Sequence, residues 1–137
     1  MSQLRKSIGQ AGFYRLEEEI EKQRQKAHAY FALLEACVGV SALREEEGTA
    51  ATYPFVTLVF DDREKKKRAL RELNRYGLGV SQIYAAAITD YDYLREIVPA
   101  HKASAARSFA GRHLTLTTST YLSKEDLAFV AGIIKKC

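Results

Sequence analysis

The stretch Arg112-His113-Leu114-Thr115-Leu116-Thr117-Thr118-Ser119-Thr120-Tyr121-Leu122-Ser123-Lys124-Glu125-Asp126-Leu127 reads as a short strand, a polar turn and a capped helix. Leu114 and Leu116 alternate with Thr115 and Thr117, the period of a half-buried strand. Ser123 then stands where a hydroxyl can accept the third helical N–H, and Asp126 sits three residues on, where an acid suits the helix dipole. Leu127, Val130, Ala131 and Ile134 mark one helical face, and Lys135 and Lys136 close the helix where cations are favoured. Without further context this is the strand–loop–helix edge of a small domain.

Upstream, residues 53–60 (Tyr-Pro-Phe-Val-Thr-Leu-Val-Phe) form the strongest strand, rich in aromatic and β-branched residues. Pro54 has no N–H, so it belongs near the start or at an edge. Asp61 or Asp62 caps the next helix, whose buried side is expected to hold Ala69, Leu70, Leu73 and Tyr76. Gly77 suits its C-cap. Val80 to Tyr84 is a second strand, Tyr91 to Ile97 a short helix ended by Pro99, and Ala100 to Gly111 another helix.

The chain begins with a long helix, about 8–38, on which Phe13, Leu16, Ile20, Ala27, Phe31, Leu34 and Val38 share a face. Glu18 and Lys22 make an i,i+4 pair on the opposite surface. Gly39 ends this helix, and Arg44-Glu45-Glu46-Glu47-Gly48 is a charged, solvated loop. A single domain over 1–137, with its core about 52–137, follows. Its fold class is α+β, a two-layer sandwich in which helices cover one side of a small, mainly antiparallel sheet.

The 137 residues suffice for one core, and 47% hydrophobic with 28% charged residues is an ordinary globular balance. No long apolar run and no signal-peptide pattern is present, so no membrane segment and a cytoplasmic location are expected. Cys37 and Cys137 have no metal-binding spacing. The net charge of +4 invites a nucleic-acid reading, but the one dense basic run, Lys65-Lys66-Lys67-Arg68, has no aromatic stacking motif beside it and reads as a solvated helix face.

The usual catalytic patterns are missing: no nucleophile elbow, phosphate-binding loop, zinc motif or dinucleotide glycine pattern occurs. Gly77-Leu78-Gly79 precedes a strand and is a turn. His28, His101 and His113 have no carboxylate at local spacing and read as structural, and Tyr91-Asp92-Tyr93 reads as a helix start.

Several segments together resemble a known family. Gly9, Phe13, Leu16, Ile20, Arg24, Ala27, Tyr30 and Leu34 are similar to the inter-domain helix of the DegT/DnrJ-type (StrS-like) sugar aminotransferases. Gly77-Leu78-Gly79-Val80-Ser81 with Tyr84 resembles that family's glycine-ended helix and following strand. Leu114 to Leu122 resembles its Leu-Thr-Leu-Pro-Thr-His-Pro-Tyr-Val run. From Ile8 onward the chain looks like the C-terminal domain of these fold-type-I, pyridoxal-phosphate enzymes. It departs from them at Ala85, Thr117 and Thr120, where proline is usual, at Ser119, where histidine is usual, and at Ala87-Ile88-Thr89, which replaces a Pro-Leu-His segment.

The resemblance implies that Tyr84, Thr89, Asp90, Thr117, Thr118, Ser119 and Tyr121 line the substrate side of a cleft, with no catalytic residue and no metal ligand in this chain. In the family, pyridoxal phosphate and its Schiff-base lysine belong to the larger N-terminal domain. The chain alone is therefore expected to bind no cofactor and not to transaminate. The expected partners are a missing pyridoxal-phosphate-binding domain or split subunit, and a second copy of the chain through the exposed face of the first helix. A stand-alone small-ligand or protein-binding module is the alternative, and a basic RNA-contacting domain a third reading.

Overall fold

The computed structural model describes residues 2–94, 96–98 and 103–137. Helices α1 (Gln3–Phe13) and α2 (Leu16–Leu34) lead into strand β1 (Val40–Ala42), β2 (Phe55–Phe60) and α3 (Arg63–Tyr76). Strand β3 (Val80–Ser81), two 3-10 turns (Ile88–Asp90 and Asp92–Leu94), α4 (Ser104–Arg112), β4 (His113–Thr117) and α5 (Lys124–Lys136) follow. The strands form one antiparallel sheet in the order β1-β2-β4-β3. The fold is α+β.

The register explains the core. Leu58 pairs with Leu114 and Val56 with Leu116, so these side chains share the face on which α2, α3 and α5 pack. Ala27, Tyr30, Phe31 and Leu34 from α2, Ala69 and Leu73 from α3, and Leu127, Val130, Ala131 and Ile134 from α5 join them in one apolar cluster. Each large aliphatic side chain buried there contributes about 1.5–3 kcal/mol. The α5 start is a full capping box: Ser123 Oγ accepts from the Asp126 N–H at 3.1 Å, and the Ser123 N–H donates to Asp126 Oδ2 at 2.8 Å. Asp62 caps α3 through the Glu64 and Lys65 N–H groups, and Gly77 ends it at φ 65°.

The long first helix is two. Its ladder breaks at Tyr14 and Arg15, where the Arg15 N–H turns back to the Gly12 carbonyl at 3.2 Å and Arg15 takes φ −105°, ψ −2°. Gly9 and Gly12 lower the helix propensity just before the break. None of α1 is buried, and Phe13, Leu16 and Val38, expected on the apolar face, are exposed. Tyr30 is buried in their stead. Helix α2 stops at Leu34, short of Gly39, which instead enters β1 at φ 76°. That edge strand has no counterpart among the sequence-based expectations.

Other boundaries shift as well. The strand expected from Tyr53 begins at Phe55; Tyr53 itself is buried at φ 48°. The strand expected over 80–84 keeps only Val80 and Ser81, and among the described residues of the helix expected over 91–97 the regular part is the 3-10 turn Asp92–Leu94. Helix α4 runs over Ser104–Arg112; Pro99, the expected start Ala100, His101 and Lys102 lie outside the described residues. Tyr76 is exposed, resting edge-on against Phe129. Lys66, expected on a solvated face, is buried. The 44–48 loop is solvated except at Glu45, which makes a two-pronged ion pair with Arg24, 2.9 Å at each contact.

Candidate substrate-facing site

The seven sequence-derived wall residues fall into two groups near opposite ends of β4. Thr117 to Tyr121 leave its C-terminal end. Tyr84 faces its first residue, His113, with ring centroids 6.3 Å apart. Five strand residues separate the groups by roughly 14 Å at about 3.4 Å per residue. The chain does not gather them into one pocket.

In the first group the turn is held by its own polar atoms. Thr117 Oγ1 accepts from the Ser119 N–H at 3.1 Å, and Ser119 Oγ from the Tyr121 N–H at 3.4 Å. Thr118 is fully buried, its hydroxyl given to the Tyr53 carbonyl at 2.6 Å, so it presents no surface to a ligand. Tyr121 is 96% exposed and is the residue of this group most open to a partner.

In the second group Tyr84 is exposed. Asp90 receives the Arg107 Nε–H at 2.6 Å, and Thr89 Oγ1 receives Arg107 Nη2 at 3.4 Å. This guanidinium holds the Asp90 carboxyl below the ordinary carboxylate range. Arg63, Asp90 and Arg107 line a concavity of about 240 Å³ over a floor of Ala85, Ala86 and Ala110. Behind the floor, Lys66 Nζ donates to Gln82 Oε1 at 3.0 Å, and Gln82 Nε2 donates to the Ala110 carbonyl at 3.0 Å. Burial, then the charges of Lys67 and Arg63, push the Lys66 amine below its ordinary value. His113 stacks flat on Phe109 at 4.6 Å and donates Nδ1–H to the Phe109 carbonyl at 3.1 Å. Its buried Nε2 has no partner among the described residues.

Arg63, Lys66, Gln82 and Arg107 are not among the sequence-derived site residues. Lys66 does carry a signal, since it lies three and seven residues before Ala69 and Leu73 and so on the buried face of α3. Arg107 meets Asp90 across 17 residues, beyond any local pattern.

Pyridoxal phosphate demands a lysine for the Schiff base, an acid for the ring nitrogen and a phosphate cup. The one buried lysine among the described residues, Lys66, is bound to an amide and sits among cations; the wall acid Asp90 is committed to Arg107. These described residues do not fit that cofactor. Among the described residues no cluster of metal-binding side chains occurs, and no helix is long and apolar enough to cross a membrane.

A four-stranded antiparallel sheet packs against three helices, and its last strand leads through a polar turn into a capped helix. Residues 1–135 match the model of the DegT/DnrJ/EryC1/StrS aminotransferase family, and the chain belongs to that family. Comparison with curated proteins gives no match. Among solved structures, the chain is similar to DesV of S. venezuelae, determined in complex with a ketimine intermediate (TM-score 0.82, 15% identity, 94% of this chain and 34% of that one). It is similar to the aminotransferase TlmJ from Streptoalloteichus hindustanus (TM-score 0.81, 22% identity, 95% and 34%). It is also similar to Helicobacter pylori PseC, an aminotransferase involved in pseudoaminic acid biosynthesis (TM-score 0.82, 15% identity, 94% and 35%). The chain spans about a third of the length of these structures. Enzymes of the family use pyridoxal phosphate.

Proposed function

We propose that this chain is the C-terminal, small domain of a pyridoxal-phosphate-dependent nucleotide-sugar aminotransferase, shaping the substrate side of the cleft without being catalytic alone. The observation that carries this reading is the family match over residues 1–135 in a chain that covers about a third of its structural neighbours. The poor fit of Lys66 and Asp90 to the cofactor agrees with a division of labour in which another polypeptide region supplies the Schiff-base lysine. Tyr84, Thr89, Asp90 and the exposed parts of the Thr117–Tyr121 turn are the wall residues of this reading. A cytoplasmic location goes with it.

The partner is the large pyridoxal-phosphate domain or a split subunit. Leu4, Ile8, Phe13 and Tyr14 are exposed apolar side chains on and just after α1. Exposed apolar side chains in this number favour association, so the chain alone is proposed to self-associate there. Sedimentation velocity tests this: the wild-type chain is expected to form dimers or larger species, and Ile8→Glu/Phe13→Glu to sediment as a monomer. A wild-type chain that stays monomeric at high concentration counts against a severed enzyme domain and favours a stand-alone module.

A further inference from the structure

The concavity between the start of α3 and the end of α4 has a charge balance that the fold itself does not require. Two guanidinium groups, Arg63 and Arg107, face one carboxylate, Asp90. The Arg63 side chain makes no ion pair or hydrogen bond to any described residue. Its guanidinium lies close against the Gly111 backbone: a Cβ there would lie 2.6 Å from Arg63 Nε. Arg107 lies one helical turn before Gly111, on the same face of α4. Nε and Nη2 of Arg107 are used by Asp90 and Thr89, and Nη1 has no described partner. The alanine floor offers no competing side-chain oxygen. A third cation, Lys66, stands behind it and is tied through Gln82 to the Ala110 carbonyl.

We propose that this concavity is a binding site for a small oxyanion, a phosphate or carboxylate group, held between the guanidinium groups of Arg63 and Arg107. Planar guanidinium forks match both anions in geometry and charge. At about 240 Å³ the space is smaller than the usual range for drug-sized ligands, roughly 300–1,000 Å³, and suits a single anionic group. Asp90 orients Arg107 and competes with the incoming anion. Removing its charge strengthens the site.

The proposal stands independently of the aminotransferase reading and is tested on the chain alone. Inorganic phosphate and, separately, succinate are titrated into the labelled protein at fixed ionic strength with chloride as reference, and backbone amide shifts are followed at Ala110, Gly111 and Ala86. Saturable shifts at these residues are expected, the tighter of the two ligands showing whether phosphate or carboxylate is preferred. Arg63→Gln should weaken binding about tenfold, and Gly111→Ala, which displaces the Arg63 guanidinium, should weaken it too. Asp90→Asn should tighten it about threefold. Lys124→Gln, in a separate lysine-lined concavity formed with Lys22 and Lys26, should leave it unchanged. Binding no better than chloride, an unchanged affinity in Arg63→Gln, or an equal loss in Lys124→Gln would overturn the proposal.

Discussion

The hydroxyl of Thr118 donates a 2.6 Å hydrogen bond to the main-chain carbonyl of Tyr53, fastening the turn after β4 to the residue that launches β2. Tyr53 has φ 48° immediately before Pro54, a combination that disfavours an L-residue on both counts. Its ring is buried against Phe31, and its own hydroxyl accepts the Glu45 N–H at 2.7 Å. Thr118→Val keeps the shape and removes the donor, leaving a buried carbonyl unpaired. A loss of about 1–3 kcal/mol in urea unfolding is expected, with Thr118→Ser retaining most of the stability.

Tyr30 is fully buried, and its hydroxyl has no partner among the described residues. Tyr30→Phe should raise stability by about 1 kcal/mol, read as a higher midpoint in thermal or urea unfolding. Burial, and then the charge of Asp126, also drive the phenol above its ordinary value of 10.0. The folded state therefore keeps a proton that the unfolded state releases, and this contribution is lost as pH rises above 10.0. The stability gap between Tyr30→Phe and wild type should widen from neutral pH into that range; a constant gap contradicts the assignment.

Glu45 joins the 44–48 loop to α2 through Arg24 and to Ala51 through its N–H at 2.7 Å, and these partners lower the carboxyl's pKa. A depressed carboxyl stabilises above its unfolded pKa, and that support is lost as pH falls through the folded value. Glu45→Gln is expected to be less stable than wild type at pH 7, with the difference closing as pH falls below the ordinary carboxylate value of 4.5. Chemical denaturation across that range checks it; a pH-independent difference would mean that packing, not charge, links the loop.

Two glycines should respond in opposite senses to alanine. Gly79 has φ 70°, and a Cβ there would lie 2.5 Å from Thr117 Cγ2. Gly79→Ala is expected to cost more than the roughly 1–2 kcal/mol of a left-handed alanine alone. Gly132 lies in α5, where a Cβ would meet nothing within 4 Å. There alanine should stabilise by about 0.5–1 kcal/mol. Thermal melts of the two variants provide the comparison.

Much of the sheet-and-helix plan is legible because its signals are local. The face Leu127-Val130-Ala131-Ile134, the Ser123–Asp126 box and the left-handed Gly77 all follow from spacing and side-chain chemistry, and all three stand in the structure. The break at Tyr14 and Arg15 is hidden because apolar periodicity runs across it, while the residues before it gain no burial. Strand β1 has three residues and exists through its pairing with β2, a contact no local pattern records. Less of the site is legible than of the fold. Asp90 stands out in the sequence, but its partner Arg107 comes from another helix, and the distance between Tyr84 and the Thr117 turn is a matter of sheet geometry.

The most direct test of the central reading is reductive trapping of pyridoxal phosphate on the 137-residue chain, followed by peptide mass spectrometry. Borohydride fixes the cofactor to any lysine that holds it as a Schiff base. A domain that shapes the cleft without carrying the reaction should show only sparse labelling scattered over exposed lysines, with no site saturating at one equivalent of cofactor. Stoichiometric labelling of a single lysine, Lys66 above all, would contradict it.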